Sequence, residues 1–228
     1  MSLILSLETS ARVCSVAIHD DITLIATAEV HIEQSHASKL SVLIDEVRRA
    51  ANIELNQLNA VAVTSGPGSY TGLRIGTSTA KGLCFSLDIP LVSIGTLDLL
   101  SFQMSKKNPE NANLCPMIDA RRMEVYCQLF NPSLETILPI EAKVIDELSF
   151  KEQLENYQII FFGDGASKCK EKIDHPNARF VEGIYPAASH MGSIAFQKFA
   201  VGDFEDVINF EPHYLKEFMI KKPNSAKE

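Results

Sequence analysis

The chain has 228 residues, of which 46% are hydrophobic and 22% charged, and this suffices for one large domain or two small ones with a buried core. Its 29 acidic residues outnumber 21 basic ones and give a net charge of −8, which argues against tight unaided binding to nucleic acid. No apolar run approaches the ~20 residues of a membrane span, and Glu8 interrupts the apolar start, so we expect a cytoplasmic protein without a signal peptide.

The first third of the chain has the pattern of three consecutive strands followed by a helix. Residues 3–8 form an apolar run that ends at Glu8, and the alternating segments 13–20 and 22–32 predict an antiparallel meander. Residues 35–52 have helical spacing, with Ser35 as the N-cap. The apolar stripe of this helix is wider than one packing face needs; it comprises Ala37, Leu40, Leu43, Ile44, Val47, Ala50 and Ala51.

A glycine-rich loop, SGPGSYTGLRIG at residues 65–76, follows a buried strand at 60–65. It is not a P-loop, because its glycines lack the required spacing and it contains no lysine. It is not a dinucleotide fingerprint either, because Thr71 occupies the third glycine position after Gly66 and Gly68. Two interpretations stay open: an anion site at a helix N-terminus, or a structural turn.

The helix after this loop, predicted from Gly72 to about Leu87, carries small residues at every fourth position. Glycine within a helix costs about 1 kcal/mol relative to alanine, so a stripe of small residues indicates the close approach of another element. We expect this ridge to pack against another helix and the helix pair to leave an apolar surface uncovered, which is typical of an interface. The ridge consists of Gly72, Gly76, Ala80 and Cys84.

The second half of the chain repeats the opening pattern of the first. After strand 89–95, helix 96–104 and a polar linker at 105–113, an apolar strand again ends at an acid, Asp119, and an alternating strand follows. A further apolar strand ends in the glycine turn GDGA. This repetition predicts a duplicated α/β fold with mixed sheets, in lobes 1–108 and 109–220 with a disordered tail at 221–228, and a cleft with Glu8 and Asp119 at matching strand ends.

The five cysteines are scattered, mostly among apolar neighbours, and no CxxC pair is present. This pattern favours buried free thiols over a zinc site or a disulfide framework. The cysteines are Cys14, Cys84, Cys115, Cys127 and Cys169.

Several segments together resemble the bacterial TsaB (YeaZ) family. They are LSLETSARVCSVAI, QSHASKLSVLIDEV, AVAVTSGPGSYTGLRIGTSTAKGL, IDARRMEVY and EPHYLK, in that order along nearly the whole chain. The resemblance implies the duplicated ribonuclease H-like, two-lobed fold of actin, Hsp70 and the sugar kinases (the ASKHA superfamily).

The resemblance also implies a function. Members of this family are non-catalytic partners of a TsaD-type transferase, which forms the threonylcarbamoyl group on N6 of adenosine 37 in tRNAs that read ANN codons. The ATPase TsaE completes the system. The resemblance implies a heterodimer with the transferase, a homodimer when the chain is alone, and contact with tRNA only through the complex.

The two N-terminal helices are the partner-binding elements that the resemblance implies. From it and the small-residue ridge we predict that Gly76→Leu abolishes complex formation while the chain stays folded. The predicted partner-binding residues are His36, Leu40, Leu43, Ile44, Val47, Gly72, Leu73, Gly76, Thr77, Ala80 and Leu83.

The resemblance further implies that no metal and no catalytic residue are present. The related transferase holds a metal with two histidines four positions apart, and the matching positions here are Thr96 and Leu100. His31 and His36 are five positions apart and face different directions on a helix, and His213 has no second histidine near it.

The strand ends and glycine turns correspond to the nucleotide cleft of the superfamily. We expect these residues to have structural roles in a residual cleft that binds ATP or ADP weakly at most. We expect the chain to have no cofactor of its own, because ATP is used by the partner complex. An ion pair of Asp119 with Arg121 or Arg122 is the alternative at that strand end. The residues of this cleft are Glu8, Ser10, Gly66, Gly68, Asp119, Gly163 and Gly165.

Two other functions stay open. A small-molecule kinase of the same superfamily, of the sugar or acetate type, would need a well-formed magnesium–ATP cleft at these strand ends. A peptidase would need either a metal site or a nucleophile with its base, and neither can be recognised from residue spacing.

Overall fold

The computed structural model describes residues 2–31 and 36–216, which form two five-stranded mixed sheets with helices. The first sheet has the order β3-β2-β1-β4-β5 and the second the order β10-β9-β6-β7-β8. The strands of the first sheet are β1 Leu3–Glu8, β2 Cys14–Asp20, β3 Thr23–Val30, β4 Ala60–Gly66 and β5 Leu91–Gly95. Those of the second are β6 Asn113–Asp119, β7 Glu124–Phe130, β8 Thr136–Val144, β9 Ile159–Phe162 and β10 Ala178–Val181.

The two sheets have the same topology. In the first, β1 pairs antiparallel with β2 and parallel with β4, and in the second, β6 pairs antiparallel with β7 and parallel with β9. The third strand of each sheet closes the meander and the fifth extends the parallel half. The predicted duplicated α/β fold is therefore confirmed, and so is the antiparallel meander at the start of the chain.

Five α-helices accompany the sheets in the described part of the chain. Helix α2 begins two residues before its predicted start, because Ser69 rather than a later residue caps it. The helices are α1 His36–Ala50, α2 Tyr70–Leu87, α3 Thr96–Ser105, α4 Lys151–Asn156 and α5 Gly192–Ala200. Ser35, the predicted cap of α1, lies outside the described residues.

The two faces of the first sheet carry different helices. Strand β1 is buried on both faces, so its sequence does not alternate between apolar and polar residues. Leu3, Leu5 and Leu7 face α1 and α2, whose apolar residues complete that core. The opposite face is covered by α5 and by Leu99 of α3.

Helix α3 lies between the two sheets and joins their cores. Leu99 packs against the first sheet, whereas Leu97, Leu100 and Met104 pack against β6, β7 and β9 of the second. Because one short helix contributes to both cores, the relative position of the sheets depends on its packing.

The chain after β10 returns to the first sheet, although the sequence placed residues 109–220 in the second lobe. Ala188, Met191 and Ala195 pack on the surface made by Ala17, Ala62 and neighbouring residues. The small side chains of that surface leave room for a helix to lie close to the strands. The lobe boundary at 108 stays a prediction, but helix α5 belongs to the first sheet by its contacts; residues 221–228 lie outside the described part.

The five cysteines are buried and free, as predicted. Burial raises the pKa of Cys14, Cys84 and Cys169 to about 11, so these thiols stay protonated and behave as small apolar side chains. Across residues 2–31 and 36–216, none of the helices combines the length and the apolar character that crossing a membrane requires.

Candidate functional site

The glycine-rich loop between β4 and α2 is held against the connection between β1 and β2. The Ser69 amide donates to the Ser10 carbonyl at 2.6 Å, and the Ser69 hydroxyl accepts from the Gly72 amide at 3.2 Å. A Cβ atom at Gly68 would collide with the Ser10 carbonyl, and one at Gly72 with the Thr9 carbonyl. The glycines are needed here because two backbone segments approach each other closely. Of the two interpretations of this loop, its contacts therefore favour the structural turn.

The small-residue ridge of α2 faces the interior of this chain, and at Gly72 and Gly76 the residue that approaches it is Thr9 rather than a residue of another helix. A Cβ atom at Gly76 would collide with the hydroxyl of Thr9, and that hydroxyl donates to the Gly72 carbonyl at 2.8 Å. Ala80 and Cys84 are buried in the core over the first sheet. The spacing of small residues at every fourth position correctly predicted that another segment lies close to α2. At Gly76 that segment is the residue directly after the end of β1, Thr9.

Most of the predicted partner-binding residues also face the interior. Helices α1 and α2 cover one face of the sheet with these side chains, and their role in partner binding stays a prediction. Leu83 is half-buried, and the side chain of His36 lies outside the described part. The buried members are Leu40, Leu43, Ile44, Val47, Gly72, Leu73, Gly76, Thr77 and Ala80.

A different set of residues on the same two helices faces outward. The side chain of Phe85 is 78% exposed and that of Val42 is 47% exposed. Ser78 and Gly82 are exposed on α2, and a Cβ atom at Gly82 would meet nothing within 4 Å. We call Val42, Ser78, Gly82 and Phe85 the outer helix face. It combines one projecting aromatic ring with small residues that leave room for a second helix.

The residues after α5 run along the edge of α2 and reach the second sheet. The Glu205 amide donates to the Leu91 carbonyl at 2.9 Å, and Lys81 Nζ donates to the carbonyls of Ile208 and Phe210, each at 2.9 Å. At the end of this segment Lys216 forms an ion pair with Glu124 of β7. We call residues 205–216 the C-terminal strap. It connects α2 to both sheets.

The strap also covers the glycine turn at the end of β4. The His213 amide donates to the Ser65 carbonyl at 2.7 Å, and the His213 carbonyl would lie 2.8 Å from a Cβ atom at Gly66. Gly66 itself has a φ of 109°, a conformation that favours glycine. The sequence segment EPHYLK therefore has a structural role at this turn, which sequence reasoning did not predict.

Glu8, at the end of β1, is fully buried and directed inward. Its Oε1 atom accepts from the Ser10 amide and the Ser10 hydroxyl, both at 2.6 Å, and Oε2 has no hydrogen-bond partner among the described residues. Burial raises the pKa of Glu8 to about 7, although the hydrogen bonds from Ser10 act in the opposite direction. This carboxyl group is therefore partly protonated at neutral pH.

Asp119, at the matching end of β6, is exposed. It forms an ion pair with Lys168, and its Oδ1 atom accepts from the Arg121 amide at 2.9 Å. Within the described residues Asp119 forms its ion pair with Lys168 and none with the side chain of Arg121 or Arg122, so the predicted alternative is wrong. Gly163 and Gly165 pack closely on the backbone of β6.

At the end of β1 the carboxyl group and the glycine turn do not face an open site. A metal or phosphate site needs carboxylates and backbone amides that face a ligand. Here the Glu8 carboxyl group is enclosed and the turn at Gly66 is covered by the strap. Of the predicted cleft residues, Glu8 contacts Ser10 and Gly66 contacts the strap. Gly163 and Gly165 pack against the end of β6, next to Asp119. Each group forms a closely packed turn.

Comparison with known proteins identifies the family. Residues 29–209 match the family model described as "TsaD: tRNA N6-adenosine threonylcarbamoyltransferase". The chain is 30% identical to the tRNA threonylcarbamoyladenosine biosynthesis protein TsaB of Buchnera aphidicola subsp. Schizaphis graminum, over 78% of this chain and 90% of that protein. The chain belongs to this family, in its TsaB (YeaZ) branch.

Other TsaB proteins and a solved structure agree with this assignment. The chain is 29% identical to TsaB of Escherichia coli over 99% of both chains. The structure "YeaZ from Pseudomonas aeruginosa" superposes with a TM-score of 0.82 at 24% identity, over 94% of this chain and all of that one. It supports the two-lobed α/β fold with two mixed sheets.

In this TsaB-family chain the positions expected to match the metal-binding histidines lie inside the core. Thr96 and Leu100 are both fully buried on α3, and Leu100 packs in the core of the second sheet. Among the described residues, no group of three or more His, Cys, Asp or Glu side chains could hold a metal ion. His31 is bound to Glu29 at 2.9 Å, and His213 contributes its backbone to the strap.

Proposed function

We propose that this TsaB-family chain is a non-catalytic subunit required for tRNA threonylcarbamoyladenosine biosynthesis. In this proposal it binds a TsaD-type transferase and, together with the ATPase TsaE, supports formation of the threonylcarbamoyl group on N6 of adenosine 37 in tRNAs reading ANN codons. The names of its relatives support the pathway. The observation that carries the proposed role as a binding subunit is the exposed Phe85 ring on the outer helix face.

The outer helix face has the properties of a helix-docking surface. An aromatic side chain exposed to 78% is costly in water and is a frequent centre of binding energy in interfaces. Ser78 and Gly82 add no bulk beside it, so a partner helix can approach the axis of α2 closely. The same surface serves the homodimer that we propose for the chain when it is alone.

The chain has no cofactor and no metal of its own in this proposal, and ATP is used by the partner complex. Contact with tRNA belongs to the assembled complex, because a chain with a net charge of −8 repels a phosphate backbone. The alternative of a small-molecule kinase is not favoured, since Glu8 is enclosed and cannot hold magnesium without a rearrangement of the Ser10 turn.

The proposal is tested by replacing Phe85 with aspartate. We expect Phe85→Asp to weaken binding to the TsaD-type protein of the same organism about 100-fold, because it places a charge where an apolar ring is buried on docking. The measurement is an isothermal titration of the two proteins. Val201 is 79% exposed and follows α5 on the opposite side of the sheet, so Val201→Asp is the matched control and should bind like the wild type. Equal affinities for the Phe85→Asp variant and the wild type would contradict the proposed interface.

A further inference from the structure

A cavity of about 390 Å³ lies between α2 and the C-terminal strap, next to the outer helix face. Its walls include Arg74 and Lys81 from the helix, and Glu211 and Tyr214 from the strap. Lys81 lies one helical turn before Phe85, so the cavity and the outer helix face form one continuous surface.

The wall of the cavity contains hydrogen-bond donors that are available to a ligand. The Arg74 guanidinium is 4.2 Å from the centre of the Tyr70 ring, and its Nε atom donates to the Tyr214 hydroxyl at 3.4 Å. The Tyr214 hydroxyl and the negative charge of Glu211 raise the pKa of Arg74, but within the described residues no acid is close enough to form an ion pair with the guanidinium, so its terminal nitrogens can bind a ligand. The buried hydroxyl of Thr77, also in the wall, has no hydrogen-bond partner among the described residues.

The charge of the cavity is positive on a chain that is negative as a whole. Helix α2 carries Arg74 and Lys81 and has no acidic residue over its 18 residues. Glu211 is the single acid in the wall, so the cavity has a formal charge of +1 against −8 for the chain. One positive charge with a planar guanidinium fork matches one carboxylate. A phosphate backbone fits less well, because the whole chain repels a polyanion.

We propose that this cavity binds an aspartate or glutamate side chain of the protein partner that docks on the outer helix face. This inference rests on the proposed function. The Tyr70 ring and Tyr214 hydroxyl hold the Arg74 fork in place, so less side-chain freedom is lost when the carboxylate binds. The carboxylate fixes the orientation of the partner helix along α2, and the Phe85 ring supplies the apolar contact.

The test compares Arg74→Gln with Tyr214→Phe in titrations against the TsaD-type protein of the same organism. Arg74→Gln removes the charge, whereas Tyr214→Phe removes the hydroxyl contact of the arginine and keeps the charge. At about 50 mM salt we expect Arg74→Gln to bind about tenfold more weakly than the wild type, and at about 500 mM the difference to shrink to about twofold. Tyr214→Phe frees the guanidinium but keeps its charge, so at about 50 mM salt we expect it to bind about threefold more weakly than the wild type, a smaller loss than that of Arg74→Gln.

The outcomes separate this inference from the proposed function. If Arg74→Gln binds like the wild type at low salt while Phe85→Asp does not bind, the carboxylate site is wrong and the docking surface stands. If the wild-type chain does not bind the TsaD-type protein, the proposed function fails. If Arg74→Gln leaves protein binding unchanged but weakens tRNA binding by the assembled complex, the cavity contacts a phosphate group and the carboxylate assignment is overturned.

Discussion

Replacing Gly76 with alanine is expected to destabilise the chain by about 2 kcal/mol, instead of blocking an interface on a folded chain. The new Cβ atom would collide with the hydroxyl of Thr9, a fully buried and stiff β-branched residue. That hydroxyl is bound to the Gly72 carbonyl, so it cannot move away without losing a buried hydrogen bond. Leucine at this position should be worse. The measurement is urea unfolding followed by circular dichroism, since the chain has no tryptophan.

A second glycine of the same helix provides the control. Nothing lies within 4 Å of a Cβ atom at Gly82, so Gly82→Ala should stabilise the chain by about 1 kcal/mol through helix propensity. Removing the obstructing hydroxyl with Thr9→Ala should recover part of the loss in the Gly76→Ala background, whereas Thr9→Ser should not. If Gly76→Ala is as stable as Gly82→Ala, the close contact with Thr9 is wrong.

Replacing Glu8 with glutamine is expected to change how stability depends on pH. The pKa of Glu8 is raised from 4.5 to about 7, so the folded chain holds a proton that the unfolded chain releases. Stability from this group is therefore present below pH 4.5 and is lost as the pH rises towards 7. Between pH 5 and pH 8 the stability of Glu8→Gln relative to the wild type should rise by about 2–3 kcal/mol.

The comparison has to be made at each pH, because other groups titrate in the same range. Burial lowers the pKa of His19 and of His190, which makes stability rise with pH and so opposes the effect of Glu8. Both histidines are present in wild type and variant, so the difference between the two proteins isolates Glu8. Asp119→Asn serves as the comparison, because it removes an exposed carboxylate at the matching strand end of the second sheet rather than a buried one. A difference between Glu8→Gln and the wild type that stays constant from pH 5 to pH 8 would contradict the buried, partly protonated carboxyl group.

The architecture could be predicted because its signals are local. The alternation of residues 13–20 and the apolar run that ends at Glu8 are properties of single strands, and their recurrence before Asp119 indicates duplication. The two sheets with the same strand order are the result. Helix α5 could not be placed in this way, because its contact with the alanines of the first sheet joins residues far apart in sequence.

The sequence pattern did not show which side of the two helices is exposed, for a physical reason. Periodicity gives the phase of an apolar or small-residue stripe, but it does not say what covers the stripe. The ridge with Gly76 is covered by Thr9, and the stripe with Leu43 by the first sheet. Helix α1 connects β3 to β4 and α2 connects β4 to its parallel neighbour β5; the apolar sides of both helices cover one face of that sheet, and the exposed Phe85 lies on the opposite side of α2.

The central claim is that this chain is a required, non-catalytic subunit, and its most direct test is an omission experiment. The chain is combined with the TsaD-type enzyme of its organism, TsaE, ATP, threonylcarbamoyl-adenylate and tRNA, and modification of adenosine 37 is measured with each protein left out in turn. We expect modification to disappear without this chain, and the chain alone to modify no tRNA. Modification at an unchanged rate in its absence would contradict the claim.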